Sequence, residues 1–294
     1  MKIDELLNYA LESGASDLHL SVGSTPMVRI NGTMHPLKLD VMTQETMESI
    51  LPQVLSDDQV SRFRKEKEID FSTKLDGKGR FRVNFFSQLN GIAGVFRTIP
   101  DVIKSFEDLG IPPVLQELCL KNRGLILLTG PTGSGKSTTL ATMVDHVNEN
   151  RNCHIITIED PVEYFHSSKD SLINQRELGA NTHSFGNALR SALREDPDVI
   201  LVGEMRDLET TSLSLTAAET GHLVMSTLHT SSAVKAIDRI IDIYPEGQKT
   251  QIRSMMSESL VAVIAQKLLP TKDGKGRVPA CEVMIATTAI RNLI

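Results

Sequence analysis

The stretch Leu125-Ile-Leu-Leu-Thr-Gly-Pro-Thr-Gly-Ser-Gly-Lys-Ser137 decides the fold. A short apolar run enters a glycine-rich segment, Gly130 to Ser137, of the form G-x-x-x-x-G-K-[ST]. A helical pattern begins at Lys136. The glycines permit a turn tight enough for successive backbone N–H groups to face one hollow. The helix starting there adds the positive end of its dipole. Such a hollow suits the phosphates of a nucleoside triphosphate, with Lys136 reaching the β- and γ-phosphates and Ser137 ligating Mg²⁺. A plain glycine-rich turn can match the same letters, but it needs no strand before it and no helix after it.

Outward from this motif, apolar runs alternate with helical patterns. Strands are expected at 125–129, 154–158, 199–202 and 223–228, with helices from 136 and over 184–194, 208–219 and 233–243. Alternation of this kind predicts a parallel sheet covered on both faces. Upstream the pattern differs. A helix over 3–11 precedes a strand at 17–21, and Asn31-Gly32 marks a hairpin between strands near 27–30 and 34–37. Helices at 43–55 and 57–67 lead to a meander at 70–75, 81–86 and 93–97. Three prolines and Gly110 make 99–113 the expected linker. The chain therefore reads as α/β, with a small α+β domain at 1–98 and a larger domain at 114–294.

Composition narrows the function. The 294 residues carry 31 Lys+Arg against 37 Asp+Glu, a net charge of −6. Residues 1–98 hold 12 basic and 13 acidic groups and the remainder 19 and 24, so neither part is basic and a nucleic-acid partner is disfavoured. The apolar runs are too short to span a bilayer. Asp4, Glu5 and Glu12 interrupt what a secretory leader would need. Cys119, Cys153 and Cys281 are odd in number and widely spaced, which fits neither a disulfide framework nor a zinc pair and suits a reducing cytoplasm.

Three further segments carry chemistry. Val199-Ile-Leu-Val-Gly-Glu204 is an apolar strand running into a carboxylate, the arrangement that holds Mg²⁺ beside a phosphate loop. Ile156-Thr-Ile-Glu-Asp-Pro-Val-Glu163 brings Glu159, Asp160 and Glu163 to a strand end, where ligands bind in open α/β sheets. Any of the three could activate water, and the residues alone do not choose among them. In Thr220-Gly-His-Leu-Val-Met-Ser-Thr-Leu-His-Thr230, His222 enters a strand and His229 leaves it. Strand alternation puts them on opposite faces, so they are not two ligands of one metal. Arg190 and Arg194 lie four apart on one expected helical face and Arg206 follows Glu204, while Arg80, Arg82 and Arg97 sit on first-domain strands. Phosphoryl transfer gains from such cations.

In this order the four segments resemble the boxes of the secretion ATPase superfamily, which serves type II secretion and type IV pili: Gly130 to Thr138, Thr157 to Glu163, Asp196 to Glu204 and Thr220 to His229. The resemblance covers nearly the whole chain. It is closest to the pilus-retraction branch. The chain opens directly on Gly14-Ala-Ser-Asp-Leu-His-Leu-Ser21, lacks a four-cysteine zinc site, and ends in Ala289-Ile-Arg-Asn-Leu-Ile294, similar to a retraction-linked motif after which further helices are expected. The resemblance implies a PAS-like first domain, a RecA-like P-loop NTPase second domain, and a homohexamer. It implies ATP and Mg²⁺ as ligands, with Gly130, Pro131, Thr132, Gly133, Ser134, Gly135, Lys136, Ser137 and Thr138 around the phosphates. Glu163 takes the role of catalytic glutamate, and Glu204 holds Mg²⁺ with Ser137. Arg82, Arg97 and His229 reach the nucleotide. Arg190, Arg194, Arg206 and His222 serve nucleotide sensing or subunit contacts. The implied partner is an inner-membrane pilus platform protein, met at the cytoplasmic face of that membrane without direct membrane insertion. Alternatives are a pilus-extension or type II secretion motor, a RecA-like nucleic-acid motor, and a nucleotide-gated scaffold that would not need Lys136, Ser137, Glu163 and Glu204 together.

Overall fold

The computed structural model describes residues 2–99, 102–272 and 276–294. The chain divides into two compact units, 1–101 and 102–294.

In the first unit, α1 (Ile3–Glu12), β1 (Asp17–Ser21), β2 (Met27–Ile30), β3 (Thr33–Pro36), α2 (Gln44–Val54), α3 (Asp57–Glu66), β4 (Glu68–Leu75), β5 (Gly79–Gln88) and β6 (Gly91–Ile99) follow the expected order. The sheet is antiparallel, in the order β3-β2-β1-β6-β5-β4. Period-2 alternation sends Leu18, Leu20, Val28, Phe81, Val83, Phe85 and Phe96 to one face. There they pack with Ile3, Leu7, Met47, Ile50 and Phe63 of the helices. The other face is polar. Arg82 pairs in register with Arg97, Arg97 with Asp17, and Asp17 with Arg29. Asp17 is buried, and both Arg97 Nε (2.9 Å) and Arg29 Nε (3.8 Å) approach its carboxylate.

The second unit opens with α4 (Phe106–Leu109) and α5 (Val114–Cys119). Part of the stretch expected as a linker is thus helical. Ser105 caps α4, and Phe106 and Ile111 are buried with Leu115 against the second sheet. Pro112 and Pro113 stand at the start of α5, where a proline costs no helical hydrogen bond. Next come β7 (Gly124–Thr129), α6 (Lys136–Asn150), β8 (His154–Glu159), β9 (Leu172–Glu177), α7 (Phe185–Ala192), β10 (Val199–Val202), α8 (Leu208–Glu219), β11 (Leu223–Leu228), α9 (Ala233–Asp242), α10 (Glu246–Ser259), β12 (Leu260–Pro270), β13 (Arg277–Ile285) and α11 (Thr288–Leu293). The sheet order is β13-β12-β7-β11-β10-β8-β9, parallel except where β13 pairs antiparallel with β12. Strands β7, β10 and β11 are buried at every position, and apolar clusters cover both faces of the sheet.

Two differences from expectation have local causes. Helix α7 ends at Ala192, because Leu193 caps it and Arg194 N–H and Glu195 N–H turn back to Ser191 O and Ala192 O. Arg194 therefore lies beyond the helix that carries Arg190. Elements β9 and α10 to β13 had no clear signal. Strand β9 follows Leu172 and Ile173 with Asn174, Gln175, Arg176 and Glu177, which gives no apolar alternation, and β12 follows α10 without an intervening turn.

Candidate active site

The carboxyl ends of β7, β8, β10 and β11 border one cavity of about 670 Å³ in the second unit. One side is the loop from Gly130 to Ser137. Gly130, Gly133 and Gly135 have φ of 148°, 76° and 86°, values that side chains disfavour. A Cβ on Gly130 would fall 2.3 Å from Gln266 O and 2.7 Å from Ser134 Oγ, so this backbone has no room for one. Helix α6 begins at Lys136, with its first-turn N–H groups at the loop. The Lys136 ammonium is buried and donates to Gly130 O (2.9 Å) and Pro131 O (3.2 Å). Burial pulls its pKa down, partly countered by the charges of Glu204 and Glu163. Ser137 and Thr138 line the cavity, and Thr138 Oγ1 shares a 2.8 Å hydrogen bond with Tyr164 Oη.

The facing side is acidic. Glu159 ends β8 and accepts from Thr157 Oγ1 (2.6 Å), Gln175 Nε2 (3.3 Å) and the Glu163 backbone N–H. Burial still pushes its pKa up to about 6. Glu163 stands exposed at the cavity wall, close enough to Lys136 for its charge to favour the ammonium. The loop carrying it is fastened from β9. Glu177 Oε2 accepts from Val162 N–H (3.1 Å), Gln175 Nε2 donates to Tyr164 O (2.8 Å), and Gln175 Oε1 accepts from His166 N–H (2.8 Å). Glu159, Asp160 and Glu163 all line the cavity. Glu159 is in addition tied into the support by its hydrogen bonds, while Glu163 stands exposed there.

Glu204 closes the site from β10. Gly203 N–H donates to Ile158 O (2.8 Å) and Thr227 Oγ1 donates to Gly203 O (2.7 Å), which fixes the turn before it. Its carboxylate lies between Arg206 (2.8 Å) and His229 Nε2 (3.2 Å). Burial raises its pKa, but these two partners outweigh that and hold it below the ordinary carboxylate range. Thr129 Oγ1 accepts from Thr230 N–H (2.7 Å), anchoring the segment after His229 to the end of β7.

Lys136, Ser137, Thr138, Glu163, Glu204, Arg206 and His229 therefore meet at one cavity, with Thr132 to Gly135 beside them. Within the second unit, Arg190, Arg194 and His222 do not line it. Arg190 binds Glu209 across the α7–α8 contact. Arg194 is exposed. His222 sits at the opposite end of β11 from His229, with Nδ1 3.0 Å from Ala217 O. Arg82 and Arg97 lie on the polar sheet face of the first unit. Sequence reasoning missed Tyr164, Gln175, Glu177, Gln266 and Arg277. Only Tyr164 sat next to a motif that could have signalled it. The others lie on strands whose pairing no local pattern reveals.

The residues present fit a magnesium nucleotide. The glycine hollow excludes side chains, Ser134 Oγ is buried with no partner among the described residues, and Ser137, Glu163 and Glu204 offer the hard oxygen donors that Mg²⁺ takes alongside phosphates. Known proteins resemble this chain over its whole length. The chain is 53% identical over its full length to the type IV pilus retraction ATPase PilT of Pseudomonas aeruginosa, covering 85% of that protein. It is 56% identical over 92% of its length to a twitching motility protein of Neisseria gonorrhoeae, covering 72% of that one. The crystal structure of the pilus retraction motor PilT with bound ADP superposes with a TM-score of 0.95 at 50% identity, over all of this chain and 85% of that one. The model of the Type II/IV secretion system protein family matches residues 1–291, and the chain belongs to that family.

Proposed function

We propose that this protein is an ATPase that powers retraction of type IV pili. The observation that carries the reading is the convergence of Lys136, Ser137, Glu163 and Glu204 on one cavity, in a chain so similar over its full length to a pilus retraction ATPase. ATP binds with its phosphates in the glycine hollow. Lys136 exchanges the carbonyls of Gly130 and Pro131 for β- and γ-phosphate oxygens, a small movement of an already buried ammonium. Ser137 and Glu204 would hold Mg²⁺, which when bound would supply charge neutralisation at the phosphates. Glu163 orients a water in line with the γ-phosphate and takes its proton. Arg206 and His229 keep Glu204 ionised and in place.

Loss of the γ-phosphate removes charge from the point where His229 and Arg206 meet Glu204, and this is the switch that converts hydrolysis to movement. Arg82 and Arg97, two exposed guanidiniums paired on one sheet face, suit a polyphosphate as well. The working form is a homohexamer at the cytoplasmic face of the inner membrane. Its movements act on a membrane platform protein and return pilin to the membrane. Arg190, Arg194 and His222 serve subunit contacts in that ring.

Replacing Lys136 with Ala in the native host tests this reading. Surface pili should become more numerous while surface movement stops. Loss of pili would instead assign the chain to pilus extension.

A further inference from the structure

We propose that Gln266 is a positioning residue for the phosphate loop, and that its side-chain amide fixes which way the loop's N–H groups point. This rests on the nucleotide site described above. Ala265 pairs with Thr129, the last residue of β7, so Gln266 lies alongside the start of the loop. It is 2% exposed, an unusual site for an uncharged amide. Its Nε2 donates to Ser134 O (2.8 Å), and its Oε1 accepts from Thr139 Oγ1 (2.8 Å) and from the Cys281 thiol (3.8 Å). A carbonyl on one side and a hydroxyl on the other allow only one orientation of the amide.

The geometry has a consequence for binding. A trans peptide places C=O and the following N–H on opposite sides. With Ser134 C=O pinned towards Gln266, Gly135 N–H points the other way, into the hollow. Thr139 lies on the first turns of α6, so the same amide also ties the helix N-terminus to the loop. The two glycines show how closely the loop rests on this support. A Cβ on Gly130 would strike the backbone oxygen of Gln266, and one on Gly135 would fall 2.9 Å from Nε2. The loop thus leans on β12 from behind and presents its donors forward.

Gln266→Met keeps the volume and removes all three hydrogen bonds of the amide, and Thr139→Val removes one at nearly constant shape. Binding of MgADP and steady-state hydrolysis are measured on the full chain, with melting in the absence of nucleotide as the folding check. A buried hydrogen bond lost at one partner predicts MgADP binding and KM for ATP weakened about tenfold in Gln266→Met. Thr139→Val should weaken them by about threefold by the same reasoning. In both, kcat should fall by less than KM rises, because Glu163 and Glu204 are untouched. Wild-type affinity in a folded Gln266→Met protein, or a lost kcat at unchanged KM, overturns the proposal. If Gln266→Met does not melt cooperatively, Thr139→Val decides, and unchanged KM there overturns it. Failure of the unsubstituted protein to bind MgADP would instead overturn the nucleotide site itself.

Discussion

The two sides of the cavity are built by different means. The phosphate loop is shaped by its own backbone, through glycines at positive φ and a helix that starts where the loop ends. The acidic side has no such internal support. Its loop, from Asp160 to His166, is held in place by Gln175 and Glu177, which belong to a different strand. The glycine turns of the first are a local property, with Gln266 of β12 as an outside support behind them, whereas the second takes its place from the pairing of β9 with β8. Substitutions should therefore act differently on the two sides, with backbone changes on the first raising KM and side-chain changes behind the second lowering kcat.

The largest effect expected from this contrast is at Glu177. Glu177→Ala leaves the Val162 N–H without its acceptor, and loss of one buried partner corresponds to about a tenfold lower kcat. KM for ATP should stay near the wild-type value. Steady-state phosphate release over a range of ATP concentrations measures both, and a raised KM with normal kcat would erase the contrast.

Gly135→Ala should do the reverse. A side chain at φ 86° is strained and would crowd Gln266. The expected cost of about 1 kcal/mol or more corresponds to a roughly fivefold or greater rise in KM and a lower melting temperature. Melting curves with and without ADP separate the two contributions.

The smallest effect is on acid stability. Glu204 has a folded pKa below its unfolded value, so its contribution is complete above the ordinary carboxylate range and is lost as pH falls through the folded pKa. Arg206 is largely exposed, so solvent limits this to a fraction of about 1 kcal/mol. Glu204→Gln should melt with a shallower dependence on pH below about 4.5 than the wild type, and parallel curves would remove Arg206 and His229 as its partners.

Much of the fold was legible because local rules act locally. The strand, glycine loop and helix at 124–150 are determined by neighbours in sequence, and so is the Asn31-Gly32 hairpin of the first unit. Glu204 could be read from its strand. What distinguishes Glu159 from Glu163 could not, because the hydrogen bonds from Gln175 and Thr157 that immobilise Glu159 come partly from a different strand. Gln266 was hidden for a related reason. Residue 266 meets residues 134 and 139 only when β12 pairs with β7. Arg194 was placed on a helix face because helical spacing continues past Ala192, while the backbone turns off there.

The most direct test of the account is hydrolysis by Glu163→Gln beside Glu159→Gln, each with MgATP binding measured separately. If Glu163 activates water and Glu159 only supports its loop, Glu163→Gln binds MgATP normally and releases phosphate ~10²-fold or more slowly. Glu159→Gln, which retains an acceptor for Thr157 and for the Glu163 N–H, loses less than about tenfold by the hydrogen-bond scale. Normal turnover in Glu163→Gln, or the larger loss in Glu159→Gln, would contradict the assignment.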